Sequence, residues 1–303
     1  MSNEMKSCPP AEHVAKVLDK KNIDNVFFGL RALDLVGRAV ECDQMLEFVV
    51  PDEQLNEAIE VLKSENIEPC NDSNCIMTLP TCGPNTSYWW REFDNPEDEE
   101  NAPYILCPAA HFHTEKLPIF SDGDSPTDVL ILNKKSETIW WLPDFNIGES
   151  ITLTNDSALP AFVEEGCEGP WPADSYGVKI LKPSAFTEAV IRLLAFHLDL
   201  PVHNIYHFML TCVMDLRKDD GTDVKKGLDE RFRKYWSEQC RNPFEVASYK
   251  ALSEIRGNET KSGQFPTPLE RCYLRTQQGE KKSSRSIVLR GINLDHVSLN
   301  LRE

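Results

Sequence analysis

Residues Val26 to Val50 read VFFGLRALDLVGRAVECDQMLEFVV, and the fold turns on how this stretch divides. A short apolar run, Val26 to Phe28, meets Gly29. Leu30, Leu33, Leu35 and Val36 follow at helical spacing, and Gly37-Arg38 ends that helix. A second apolar strand enters at Leu46, Phe48, Val49 and Val50, with Glu41, Asp43 and Glu47 at its approach. Strand, glycine turn, short helix and acid-flanked strand make a compact nucleotide-binding design. Gly29 would let a phosphate approach the backbone, and the helix start would offer unpaired N–H groups to it. The carboxylates would hold a divalent cation such as Mg²⁺ against that phosphate. The same pattern also describes an ordinary βαβ start with no ligand.

The whole chain sets the limits on this reading. Its 303 residues suffice for one large domain or two modest ones. We expect an α/β domain over 1–145 and a mainly helical domain over 146–303 that closes on a terminal strand or hairpin. No apolar run reaches the roughly 18 residues a membrane span needs, so no membrane partner is expected. The first residues, MSNEMKSCPPAEH, are polar and carry no apolar signal region. A cytoplasmic, reducing setting follows as the expectation, with the ten cysteines as free thiols. Cys70, Cys75, Cys82, His111 and His113 could gather round a zinc ion, but they lack the paired CxxC spacing of structural zinc sites, so no metal ligands are assigned.

A net charge of −17 argues against bulk electrostatic coating of nucleic acid. The charge is uneven. Glu92 to Glu100 (EFDNPEDEE) is acidic, whereas Arg271, Arg275, Lys281, Lys282, Arg285 and Arg290 face only Glu280 in their stretch. That basic run is either a solvated surface loop or a phosphate-backbone contact.

In chain order, His13 to Lys21 reads as a first helix, and Pro51-Asp52 gives a turn and N-cap before an amphipathic helix over Glu53 to Ile67. From Glu68 to Pro126 prolines, cysteines and the knot Tyr88-Trp89-Trp90 imply irregular segments, with short strands at Tyr104 to Cys107 and Ile119-Phe120. His111 and His113 fall on one side of an extended chain, a geometry that can chelate a metal but more commonly decorates a strand. Val129 to Leu132 reads as a core strand led by Asp128, a third carboxylate candidate. Ser184, as N-cap, opens an apolar helix to Leu198, and Asn204 to Arg217 forms a second, making a helical hairpin. His203 and His207 sit at i, i+4 beside His197, with no fitting acid nearby, and read as core or groove histidines. Helices over Leu228 to Gln239 and Pro243 to Arg256 follow, and Ser286 to Leu301 alternates like a terminal strand.

The Gly29 turn and the Glu47 strand resemble the nucleotidyltransferase fold, whose pattern is a Gly-Gly or Gly-Ser turn and an Asp-x-Asp leading into an apolar strand. Here Leu30 stands in place of Ser, and the two acid positions fall on Met45 and Glu47. The stretch KSETIWWLP (Lys135 to Pro143), Ser157-Ala158-Leu159-Pro160, GCEGPWP (Gly166 to Pro172) and Glu188-Ala189-Val190-Ile191-Arg192-Leu193-Leu194 are similar to a group of fungal proteins with such a first domain. The resemblance covers roughly residues 20 to 216. It implies an α+β fold, a mixed nucleotidyltransferase-like sheet with flanking helices and a mainly helical C-terminal region. In overall size and in its helical region the chain also resembles fungal arginine-containing cyclodipeptide synthases of secondary metabolism, which join arginine from arginyl-tRNA to a second amino acid.

Three functions follow as expectations. A metal-dependent nucleotidyltransferase would use Glu47 with Asp43 or Asp128, and needs two carboxylates on one Mg²⁺. An aminoacyl-tRNA-dependent transferase would need only a general base and a positioned amine, and no cofactor. Its catalytic candidates are Glu47, Asp43 and Glu188, acidic groups suited to an arginyl side chain. Gly29, Arg31, Arg38 and Lys135 are the substrate-binding candidates, and Arg271, Arg275, Lys281, Lys282 and Arg285 would hold tRNA. The third is an inactive nucleotide-binding or interaction protein.

Overall fold

The computed structural model describes residues 8–38, 45–72, 109–114, 116–121, 127–161, 168–198, 203–216, 224–241 and 246–265. The protein is α+β, with a six-stranded mixed sheet and flanking helices. Helix α1 spans Pro9–Asp19, earlier than its apolar spacing suggests, because Pro9 and Pro10 occupy the first turn, where a missing N–H costs nothing. Strand β1, Val26–Phe28, is buried throughout. The short helix α2, Gly29–Leu33, follows directly, and then β2, Met45–Val50. A 3-10 turn over Asp52–Gln54 leads into α3, Leu55–Ser64, which ends on Asn66 at φ 64°, a left-handed position that asparagine tolerates.

The edge strand β3, Ala110–His113, precedes α4, Pro118–Ser121. Ile119-Phe120 therefore lie in a helical turn rather than the expected strand, because Pro118 starts a helix there. Strand β4, Val129–Lys134, runs into α5, Lys135–Thr138. Strands β5, Ile151–Leu153, and β6, Lys179–Leu181, then complete the sheet in the order β3-β4-β2-β1-β6-β5. The boundary expected after 145 thus cuts through the sheet, since β6 lies parallel to β1 at its centre.

Beyond the sheet come α6, Pro183–Phe196; α7, His203–Leu216; α8, Val224–Gly227; α9, Glu230–Arg241; and α10, Val246–Lys261. Lys182, not Ser184, is the N-cap of α6, because Pro183 takes the first helical position. The expected terminal strand at 286–301, the Tyr104 to Cys107 strand and the Trp89-Trp90 knot lie outside the described residues.

Register assigns the sheet's two faces. Phe27, Phe48, Leu132 and Ala110 form one row across β1, β2, β4 and β3, and Leu46, Leu130 and Phe112 form the next. These rows are core, and the Phe27 and Phe48 rings lie 5.4 Å apart. The alternate rows are Phe28, Glu47, Ile131 and His111; Val26, Val49 and Asn133; and Met45, Val129 and His113. Directly paired residues share a face, so Glu47, Asn133, Met45, His111 and His113 all project from this second one. Helix α6 closes the β1 end of it through Phe186, whose ring is 5.4 Å from that of Phe28.

Candidate functional site

The second face gathers the polar chemistry. Glu47 stands in the middle of β2, opposite Phe28, and the turn after Phe28 carries its side chain across Gly29. Gly29 has φ +80°, a conformation that L side chains rarely adopt, and a Cβ there would lie 2.6 Å from the Glu47 carboxyl carbon. The glycine thus makes room for a carboxylate of the chain itself. That revises the expected phosphate cradle: an anion brought against this backbone would meet Glu47, and α2, at five residues, is one short turn.

Asn133, in phase with Glu47 on the neighbouring β4, donates Nδ2 to Glu47 Oε2 at 3.1 Å. Burial pushes the Glu47 carboxyl up to about 7, and the Asn133 hydrogen bond opposes part of that rise. A carboxyl balanced between its two forms near neutral pH is matched to taking and returning a proton. Asn133 was missed in the sequence. The signal was there: a lone amide at the end of VLILN, in register with the acid.

The position two residues before Glu47 on the same face carries a thioether, Met45, which is buried. Asp128 precedes β4 out of phase with Ile131 and Asn133, so the strand's alternation sets it with Leu130 and Leu132. Among the described residues Glu47 belongs to no group of three metal-ligating side chains. Asp43 lies outside them, as do Arg271, Arg275, Lys281, Lys282 and Arg285.

The remaining candidates are placed elsewhere. Glu188 accepts two hydrogen bonds from Arg192, from Nε at 3.1 Å and from Nη2 at 2.9 Å. Arg192 Nη1 also donates to Glu259 at 2.8 Å, and Arg231 Nη1 reaches the other Glu259 oxygen at 2.7 Å. The guanidinium that Glu188 holds is the protein's own. This network ties α6 to α9 and α10, and Arg192 is sandwiched between the Trp141 and Phe232 rings at 4.9 and 4.8 Å. Lys135 donates Nζ to the Pro143 carbonyl at 2.9 Å and sits over the Phe145 ring, so it fastens the loop after α5. The Arg31 guanidinium approaches Cys8 Sγ at 3.6 Å, and the Arg38 amide donates to the Cys212 carbonyl at 3.0 Å. Asp52 caps α5 rather than its own helix, accepting from the Ser136 amide at 3.0 Å and from its hydroxyl.

Two further groups of histidines differ in kind. His197 is buried against Phe196 and stacked on Tyr206 at 5.8 Å, and desolvation holds its pKa down at about 3. It is a neutral core ring, as is fitting for a histidine inside a helical hairpin; His207 is buried beside Tyr249. At the sheet edge, His111 and His113 carry rings 5.3 Å apart, and Cys70 joins them. Burial, followed by the neighbouring His113, holds the His111 pKa down at about 4. No helix among the described residues is long and apolar enough to cross a membrane. Comparison with family models, curated proteins and solved structures found no match to this chain.

Proposed function

We propose that this chain is a proton-transfer catalyst of acyl transfer, with Glu47 as general base, acting on an aminoacyl-tRNA ester to form a peptide bond. The observation that carries the reading is the half-buried Glu47 carboxyl, held by Asn133 over Gly29 and poised near neutral pH. An amine that attacks the ester carbonyl forms a C–N bond and breaks the C–O bond to the ribose. Glu47 accepts the amine proton and returns it to the departing ribose oxygen, so no oxidant, reductant or metal is consumed. A single acid suffices for this. Nucleotidyl transfer needs at least two carboxylates around Mg²⁺, and Met45 supplies none at the matching position.

Arginyl-tRNA as donor, a second aminoacyl-tRNA as acceptor, and a cyclic dipeptide as product, closed when the arginyl amine attacks the second ester and releases the second tRNA, rest on the resemblance to fungal cyclodipeptide synthases. The nucleotidyltransferase-like ancestry of the sheet rests on the Gly29 turn and the Glu47 strand. The basic Arg271 to Arg290 stretch is the proposed tRNA contact.

The test supplies pre-charged arginyl-tRNA together with a pool of other pre-charged aminoacyl-tRNAs in EDTA, with and without RNase. Mass spectrometry should find an arginine-containing cyclic dipeptide that RNase abolishes and EDTA spares. Absent or RNase-insensitive product would overturn the reading, and Mg²⁺-dependent label transfer from a nucleoside triphosphate would replace it with nucleotidyl transfer.

A further inference from the structure

We infer that Cys70, His111 and His113 form a binding site for a borderline-soft divalent metal ion, with zinc the best fit, at the β3 edge of the sheet. The proposal goes beyond acyl transfer by Glu47 and stands independently of it.

The chain builds this site by backbone before any side chain takes part. His111 and His113 alternate on the edge strand, so their rings share one face. The segment after α3 returns alongside that strand: Pro69 bridges to Phe112, and the Cys70 amide donates to the His111 carbonyl at 2.9 Å. Cys70 is thereby fixed beside the two rings although some forty positions separate it from them in sequence. One ligand atom from each residue lies within 4.8 Å of the other two. Bonds of about 2.0–2.3 Å to a tetrahedral zinc would set such atoms roughly 3.5 Å apart, so small side-chain rotations close the site.

The donor set selects the ion. One thiolate and two imidazoles suit zinc and its softer neighbours and disfavour Mg²⁺ or Ca²⁺, which require oxygen. The burial is graded: His111 is buried, Cys70 half-buried and His113 exposed. Among the described residues an ion here has three protein ligands, on the same sheet face as Glu47. Binding takes the proton from the Cys70 thiol and releases it to the medium.

The test uses the full chain, stripped with a chelator and titrated with Zn²⁺ and with Co²⁺. The expected result is one equivalent bound per chain, release of protons, and a thiolate-to-cobalt charge-transfer band. Cys70→Ser should abolish that band, and His113→Ala should weaken binding at least about tenfold. His113 is exposed, so its variant should keep the circular dichroism of the parent, which separates ligand loss from misfolding. Thermal melting should rise with Zn²⁺ in the parent and rise markedly less at the same Zn²⁺ concentration in either variant. No stoichiometric binding, or binding that survives in both variants because other cysteines hold the ion, would overturn the proposal.

Discussion

Under the proposed acyl transfer, Glu47 would link stability and activity to the same proton. Its folded-state pKa, about 7, lies above the ordinary 4.5, so between those values the folded protein binds a proton that the unfolded chain has released. Stability therefore falls as pH rises from about 4.5 to 7 and levels off above that, by up to on the order of 3 kcal/mol. Replacing Glu47 by Gln keeps an acceptor for Asn133 and removes the titration. Denaturant unfolding of that variant should lose the pH slope in this window and exceed the parent at pH 8, while peptide-bond formation should vanish. In the parent, activity should rise through about pH 7 as the base form fills. Full activity in Glu47→Gln would place the base elsewhere. Gly29→Ala meets two obstacles together, a backbone at φ +80° and the Glu47 carboxyl. It should cost about 2 kcal/mol or more, read as a lowered denaturation midpoint, and disturb the base.

At the scale of elements, the buried Arg192–Glu259 pair is the joint between α6, α9 and α10. Arg192 is 3 % exposed and Glu259 2 %, so removing Arg192 strips a buried carboxylate of one of its two guanidinium partners and leaves it to Arg231 alone. Arg192→Ala should destabilise by about 3 kcal/mol, the low end for a broken buried pair, because Arg231 still holds Glu259. Arg192→Lys should fall short of rescue, because an ammonium cannot bridge Glu188 and Glu259 while stacking between Trp141 and Phe232. Both effects are measurable as shifts in the denaturation midpoint. This joint also shows why part of the molecule was hidden in the sequence. Glu188 reads there as a free acid in an apolar helix; its partner, Glu259's arginine, is visible at i+4, but the second carboxylate is 67 positions from Arg192. Local periodicity found β1, β2, β4, α3, α6 and α7 well, since each buries one face or all of itself. It could not find that Asp52 caps a helix 84 positions later, nor that the short runs at Ile151 and Lys179 are strands, because their partners in the sheet are each other and a strand about 150 positions earlier.

On the scale of the whole molecule, the sheet draws strands from both sides of residue 145, with β6 of the later half beside β1 of the earlier. A fragment of residues 1–145 should therefore lack native near-ultraviolet circular dichroism and succumb quickly to protease, and the full chain should unfold the sheet and the α6 joint in one transition. Two separate transitions, the first sparing the sheet, would restore the division into independent halves. The candidate site was legible in the sequence as one acid and one glycine; their mutual contact, and the return of Cys70 to the histidines, required the pairing of distant segments. The seating of β1 has one more consequence. Its parallel neighbour is made about 150 residues later, so a chain emerging from the ribosome holds a buried-type strand with one bare flank until Ile180 has been synthesised. Completion of the sheet waits on that late segment, and until it arrives the flank is open to pairing with a stranger.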